Sequence, residues 1–431
     1  MTVILFSMMI ISIKDMMMKI IMIFIIMSLM LFSSIDVFMY KVSILYFWDI
    51  LSISMIFLTL LIVMICIMTK LKMYNNYTFY FLVSSLNLML IISFSMDNLI
   101  LFYLWFESSL IPIYLMIIGW GYQPERMSAS LYLLFYTLVG SMPLLISILM
   151  IYQQNFSSYM RLQLEGYTNL FLMTLMIAFF IKTPMFMVHS WLPKAHVEAP
   201  TIGSMILAAL MLKLGNYGLL RIMYMMKMNM DMVNFLIMGF ILLSSIMISL
   251  ICLMQMDIKS LIAYSSVAHM SLVMLSFFTN SSMSMMGIIF IMVGHGMCSS
   301  GMFYLAGTMY ERSMSRSFNM NKSQNSLFPF MILFWFLMCS SNMASPPSMN
   351  LMGELNIMFT IIYWNKYTIL LMFLIFLLIV IYSIYLYSRL FHGSLKNSLL
   401  MLIPSNLKEM LVCTMHWMPL NLMFLLTTLS Y

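Results

Sequence analysis

Charged side chains are scarce in this chain. Of 431 residues, 20 are Lys or Arg and 13 are Asp or Glu, together 8%. A soluble domain carries roughly 25%. With 64% apolar residues, the chain could not cover a water-facing surface. A cytosolic enzyme, a secreted domain and a disordered chain are excluded, and a polytopic helical membrane protein remains. A β-barrel would need alternating polar and apolar residues, whereas the apolar runs here are unbroken. Cysteine is sparse too. Cys66, Cys252, Cys298, Cys339 and Cys413 are scattered, with no CxxC and no Cys/His cluster. They read as small core residues, so no structural metal or iron–sulfur site is expected. No glycine-rich phosphate loop supports nucleotide binding, and no basic-aromatic stripe supports nucleic acid.

Arginine is missing until Arg126. Residues 1–13 are apolar, and Lys14 and Lys19 follow them, the reverse of a signal peptide. A mitochondrial transit peptide would be Arg-rich. The expectation is a chain without a removable leader, either bacterial or made inside an organelle. Sixty Met reflect biased codon usage more than mechanism, since Met replaces Leu or Ile in lipid with little consequence.

What the sequence has is apolar runs. Polar punctuation divides them into candidate spans at 1–13, 20–34, 44–68, 78–96, 98–118, 129–152, 168–190, 201–222, 232–251, 259–278, 284–308, 327–345 continuing to 363, 368–391 and 411–430. A span needs about 20 apolar residues, so about fourteen spans use about 280 and leave no room for a soluble domain. The expected fold class is therefore an all-α polytopic membrane protein with about 14 transmembrane helices. Its expected segments are 1–77, 78–224, 225–395 and 396–431: three helices, two five-helix units and a last helix. Numbering the loops in order, odd loops hold Lys14, Lys19, Lys70, Lys72, Arg126, Lys194, Lys259, Arg312, Arg316, Lys322, Arg389, Lys396 and Lys408. Even loops hold Lys41, Arg161, Arg221, Lys227 and Lys366. Positive loops stay on the side of synthesis, which places both termini on the opposite side. The net charge of +7 is loop charge that meets anionic lipid heads.

Some ionisable groups fall inside the spans. A charge at mid-bilayer costs about 2.5–3.5 kcal/mol on insertion scales and marks a function by default. Glu107 is the tenth of the twenty-one residues in NLILFYLWFESSLIPIYLMII. Lys182, Lys213 and Glu354 lie in other apolar runs, and His295 joins them. A structural ion pair could explain Glu107 with one Lys, and Lys213 could snorkel. His295 could be a satisfied packing residue, and Glu354 could lie at the interface. Two acids and two bases in separate spans are what a proton relay needs. Burial raises carboxylate pKa values and lowers amine ones, and opposite charges shift each back.

Two spans are broken by proline. Pro184 follows Lys182 by two residues, and Pro346 and Pro347 precede Glu354. Proline removes one helical hydrogen bond and clashes with the preceding turn. Non-helical backbone at membrane depth must line protein or water. Breaks at matching places in two halves point to a transport site built from inverted repeats. Here they fall in spans seven and twelve, the fourth members of two five-helix units. Pro112, five residues after Glu107, could open a carbonyl nearby. The stretch Trp191-Leu-Pro-Lys-Ala-His196-Val-Glu198-Ala-Pro200 could be a proton entry mouth or only a capped loop. His189 and His269 are read as lying near span ends, more often structural, with a secondary relay role as the other reading.

The run from Lys182 through WLPKAHVEAP to GSMILAALMLKLGNYGLLR resembles the NADH–ubiquinone oxidoreductase chain 4 family, antiporter-like membrane subunits of mitochondrial respiratory complex I. ESSLIPIYLMIIGWGYQPER, DIKSLIAYSSVAHMS, HGMCSSGMFYLAGTMYERSMSRS and NLMGEL support the resemblance, which covers about residues 97 to 390. It implies fourteen helices with two inverted repeats. It also implies that Glu107 partners Lys182, that Lys213 links two half-channels, and that His295 continues the relay. Glu354 would be the acid of the half-channel toward the intermembrane space. Met187 and Asn216 stand where glycine is usual in the family, crowding the break in span seven and the turn after Lys213. The resemblance implies no cofactor in this chain, with flavin, iron–sulfur clusters, NADH and quinone in partner subunits. The implied partners are membrane-arm subunits, including sister chains 2 and 5, and lipids. The implied location is the mitochondrial inner membrane, with the termini facing the intermembrane space. A self-standing cation/proton antiporter and a scaffold whose charges only hold helices are the alternatives.

Overall fold

With no water at membrane depth, backbone polar groups must bond within the chain, and helix does this locally. A computed structural model describes residues 3, 7–8, 10–11, 13, 16–34, 40–41, 46–69, 77–162, 167–225, 231–279, 281–322, 329–393 and 406–429. Strand among them is confined to the pair β1 (Tyr40–Lys41) and β2 (Phe47–Trp48). The helices are α1 (Met16–Ser34), α2 (Ile50–Thr69), α3 (Tyr77–Ser95), α4 (Leu99–Ser108), α5 (Leu110–Trp120), α6 (Arg126–Asn155) and α7 (Asn169–Lys182). Next come α8 (Trp191–Glu198) and α9 (Thr201–Ile206), a π turn (Leu207–Met211), and α10 (Leu212–Met225). Then follow α11 (Asp231–Leu253), α12 (Ile258–Phe277), α13 (Ser282–Ser313), α14 (Pro329–Asn342), α15 (Met349–Trp364), α16 (Ile369–Phe391) and α17 (Leu407–Leu429). Among the described residues, nine helices are long and apolar enough to cross a membrane; α4 with α5, and α9 with α10, each count as one. Met18–Ser28, α7 and α14 are shorter apolar helices.

The expected span 1–13 lies mostly outside the described residues. Span five is not continuous: α4 and α5 meet at a seam on Ser109. Ser109 Oγ donates to the Phe106 carbonyl at 2.7 Å, and Pro112 has no N–H for the carbonyl four residues back. Lys19, Arg221 and Lys259 are not loop charges. They lie in α1, α10 and α12, with 4%, 8% and 1% exposure. Arg221 is neutralised by Asp49 at the start of α2. Lys19 and Lys259 sit in the first turns of their helices, where a long apolar stem packs while its head stays near the helix end.

The chain divides into two compact units. The first is residues 1–183 with 198–231, and the second is residues 184–197 with 232–431. Each encloses a helix. In the first, every residue of Thr201–Met225 is buried except Tyr224. In the second, every residue of α12 is buried except the half-buried Tyr264. Each also has a helix with a wide apolar outer face. On α6, Leu131, Phe135, Val139, Met142 and Ile146 are exposed; on α16, Leu370, Phe373, Leu377, Ile381 and Ile384 are. Stripes at this helical spacing suit lipid tails and would be a liability in water.

A matched fastening recurs in both units. The long helices α6 and α13 each stop at a left-handed residue, Phe156 (φ 51°) and Met314 (φ 52°). The chain then pairs back with the residue preceding an earlier helix, Tyr159 with Asn98 and Ser317 with Asp257. In the first unit Arg161 grips Asp97 beside this pairing, with Nε 2.9 Å from Oδ2. In the second, α13 and α15 touch backbone to backbone. A Cβ on Gly353 would lie 2.5 Å from Ile291 Cγ1 and 2.9 Å from the Ile291 nitrogen. Only glycine allows this approach, and it brings Glu354, the next residue, against α13.

Candidate functional site

The first unit assembles an acid, two amines and a broken helix. α7 ends at Lys182, because Thr183 Oγ1 and N–H both take the Phe179 carbonyl at 2.7 Å and Pro184 disfavours helix in the residue before it. The Lys182 side chain is 3% exposed. Its Nζ donates to the Phe106 carbonyl at 3.1 Å and lies 2.9 Å from the centroid of the Phe106 ring. Lys182 is therefore held at the α4–α5 seam by a carbonyl and a π face, both suited to a cation. Glu107 is the next residue. Its carboxylate interacts electrostatically with Lys182 and with the Ser141 hydroxyl of α6. Among the described residues, no close hydrogen bond reaches either of its oxygens. The acid and the amine are neighbours without a closed salt bridge.

Lys213 is fully buried. Its Nζ donates to the Ala208 carbonyl at 2.7 Å, inside the π turn where Leu212 N–H reaches back to Leu207. Single π turns are frequent at functional sites because they re-aim backbone carbonyls. Two residues on, Gly215 lets α10 touch the end of α7: a Cβ there would lie 2.6 Å from Thr183 Cγ2 and 3.1 Å from Lys182 Cβ.

The second unit gathers its groups around His269. The Nδ1 atom lies 3.4 Å from Glu354 Oε1, and Nε2 lies 3.0 Å from the Tyr382 hydroxyl. The His295 ring is 5.2 Å away between centroids. Glu354 is 5% exposed, and His269 and His295 are 1% and 0% exposed. Glu354 is thus enclosed by protein. The expectation that His269 lies near a span end is corrected. It is in the middle of α12 and joins the acid to the second imidazole. The serines around it look like span-edge polarity, but Ser265, Ser266 and Ser271 donate to carbonyls of their own helix at 2.8, 2.6 and 2.6 Å, which lets them sit at depth. Pro346 and Pro347 fall between α14 and α15, joined by a cis peptide bond. There Asn350 Nδ2 donates to the Ser341 carbonyl at 3.0 Å, and Ala344 takes φ 55°.

The structure does not bring His189 and His196 to these acids. His189 stacks on Phe186 at 5.5 Å and meets Tyr264 edge-on at 5.9 Å. His196 is buried and lies parallel to Phe303 at 4.6 Å. The stretch from Trp191 to Glu198, read as an entry mouth or a capped loop, is a short helix in which Trp191, Leu192, Ala195 and His196 are buried. Arg316 holds its end through the Val197 carbonyl at 2.8 Å. Met187 does not crowd the break: it is 75% exposed. Its φ is 79°, the left-handed region that suits glycine. Asn216 lies within α10, in its helical interior. Sequence reasoning missed Tyr382, Ser141, the Phe106 carbonyl and the π turn. Tyr382 is one of 24 tyrosines in a run rich in them. A backbone carbonyl and a π turn carry no residue signature at all. Among the described residues, no three His, Cys, Asp or Glu side chains are grouped to hold a metal ion.

Residues 95–381 match the family model described as NADH:quinone oxidoreductase/Mrp antiporter, TM. NADH-ubiquinone oxidoreductase chain 4 of Ceratitis capitata is 42% identical over 394 residues, 90% of this chain and 88% of that protein. The protein of the same name from Struthio camelus is 42% identical over 356 residues, 81% of this chain and 78% of its own. Among solved structures, respiratory complex I from Thermus thermophilus with bound NADH contains a chain with TM-score 0.88 at 20% identity, covering 99% of this chain and 96% of its own. The Mrp complex from Dietzia sp. DQ12-45-1b contains one with TM-score 0.85 at 14% identity, covering 100% of this chain and 93% of its own. At those identities the likeness concerns the fold. By the family match and the extent of its curated relatives, the chain belongs to the NADH:quinone oxidoreductase/Mrp antiporter transmembrane family and, within it, to NADH-ubiquinone oxidoreductase chain 4.

Proposed function

We propose that this chain is a proton-translocating membrane-arm subunit of NADH:ubiquinone oxidoreductase, moving protons from matrix to intermembrane space. The observation that carries the reading is that each unit places an acid with a buried carboxylate beside a buried base, near a broken helix. In the first, Glu107 neighbours Lys182, the last residue of α7, two residues before Pro184. In the second, Glu354 meets His269, which continues to His295 and Tyr382. A carboxylate, an amine and an imidazole can exchange protons when burial and neighbouring charges bring their affinities together.

In this reading, charge changes originating in partner subunits shift the Glu107–Lys182 balance. Lys213 carries the proton between half-channels, and His295, His269 and Glu354 pass it onward. The helices from 78 to 224 and from 225 to 395 act as two inverted repeats. The paired fastenings at Asn98–Tyr159 and Asp257–Ser317 support that division. Redox chemistry, with its flavin, iron–sulfur clusters, NADH and quinone, belongs to partner subunits, and the neighbours in the membrane arm include sister chains 2 and 5. The chain is then a multi-pass protein of the mitochondrial inner membrane with its termini toward the intermembrane space. The apolar outer faces of α6 and α16 suit lipid or neighbouring membrane helices.

The test is Glu107→Gln in the assembled complex, reconstituted in sealed vesicles with acidification and electron transfer followed together. Loss of acidification is expected, because Gln keeps the shape but binds no proton. An unchanged proton-to-electron ratio would refute the proposal.

A further inference from the structure

A second polar site lies in the second unit, away from Glu354. His416 on α17 is fully buried. Its Nδ1 is 2.8 Å from the Val412 carbonyl. A carbonyl only accepts, so Nδ1 carries the hydrogen and the neutral ring presents a lone pair at Nε2. That Nε2 is buried and, among the described residues, has no hydrogen-bond partner. Leaving such an atom unsatisfied costs about 1–3 kcal/mol, which an apolar side chain of similar size would avoid.

The surroundings lead from this atom toward the end of the helix. The Tyr304 ring of α13 lies nearly parallel to the imidazole, 6.3 Å away at 17°. Gly301, one turn earlier, also faces His416: a Cβ there would lie 3.4 Å from His416 Cβ, an ordinary contact. The Tyr304 phenol interacts electrostatically with Cys413, Glu409, Glu311 and Arg312. Arg312, in the last turn of α13, pairs with Glu409, in the first turn of α17. Helical spacing puts Glu409, Cys413 and His416 on one face of α17, and Tyr304, Thr308 and Arg312 on one face of α13. Glu409 and His416 are about 10 Å apart along the axis. Glu409 is the more accessible of the ion pair, with 17% of its side chain exposed. The other titratable groups on the helices packed against α17 are His295, Cys298 and Tyr310 of α13, Cys339 of α14, and Glu354 and Tyr363 of α15.

We propose that His416 is a further proton-carrying residue of this chain, loaded by water that enters beside the Arg312–Glu409 pair and passes Tyr304. In the loading step a hydronium O–H bond breaks and an Nε2–H bond forms, leaving water and an imidazolium whose Nδ1–H stays on Val412. In unloading the Nε2–H bond breaks and an O–H bond forms on a second water, which carries the proton away as hydronium and leaves the ring neutral. Tyr304 serves by accepting one hydrogen bond and donating another, so a water chain can pass its hydroxyl. The site rests on the proton-moving reading above and adds to it a branch, on α13 and α17, that the relay around His269 does not use.

The test compares His416→Leu and His416→Gln in the assembled complex in sealed vesicles. Gln keeps a donor for the Val412 carbonyl but takes up no proton at neutral pH. The expected result is a several-fold loss of protons moved per electron in both variants, with Gln no better than Leu. Restoration of the native ratio by Gln would make His416 a packing group and overturn the proposal. If the Leu variant fails to assemble, Gln decides alone. A density map of the native complex that resolves water gives a second measurement: a water at hydrogen-bond distance from Nε2 is expected, and a dry Nε2 overturns the branch. Glu107→Gln in the same vesicles separates the two readings. If it stops pumping while His416→Gln changes nothing, only the branch falls. If it leaves pumping intact, the wider reading falls with it.

Discussion

The two units hold their acids by different chemistry. Glu107 is answered by an amine that a carbonyl and an aromatic face hold in place. Glu354 is answered by an imidazole that also touches a phenol and a second imidazole. An ammonium has only donors, so it can hold or release a charge where it sits. An imidazole can take a proton at one nitrogen and give it from the other. The first unit thus sets a donor-only cation beside its acid, and the second sets a group that both donates and accepts.

That contrast can be broken most directly at His269. His269→Leu removes the group between Glu354 and Tyr382 and leaves both with a lost partner. Near-complete loss of vesicle acidification is expected, with a stability cost of about 1–3 kcal/mol read as earlier thermal inactivation. Native acidification in this variant would mean that the second unit does not hand protons through the imidazole.

A smaller effect sharpens the packing side of the same contrast. Gly353→Ala would drive a methyl to within 2.9 Å of the Ile291 backbone nitrogen, whereas Gly140→Ala in the first unit would meet the tip of Ile181, Cδ1 at 2.4 Å. A flexible tip can turn aside and a backbone cannot. Gly353→Ala should therefore cost about 1–3 kcal/mol and Gly140→Ala clearly less, as melting temperatures of the two variants would show. Equal losses would mean that the units are packed alike. The smallest change concerns Met187 in the broken segment. Met187→Gly relieves a left-handed backbone worth about 1–2 kcal/mol and gives part of it back as chain entropy. A gain below about 1 kcal/mol in thermal stability is the expected outcome, and a loss would show that the exposed side chain has a packing role.

Much of this was legible in the sequence because charge in lipid is conspicuous. Glu107, Lys182, Lys213, His295 and Glu354 stand out against apolar neighbours, and Pro184 and Pro346 mark the breaks by their chemistry. The seam at Ser109 was harder to see, since serine in a helix ordinarily bonds back without interrupting it. His269 was underrated because the serines around it imitate a span edge. Tyr382 could not be told from the other tyrosines of α16, since what distinguishes it is the imidazole opposite, a partner 113 residues away. The ion pairs of Asp49 with Arg221 and of Arg312 with Glu409 were hidden for the same reason. Each partner alone reads as an ordinary helix-end charge.

Lys213 finds its acceptor on its own helix, at Ala208. That bond moors the ammonium to the rod that carries it. If that rod turns or slides, the charge rides with it, and the field felt by everything nearby moves in step.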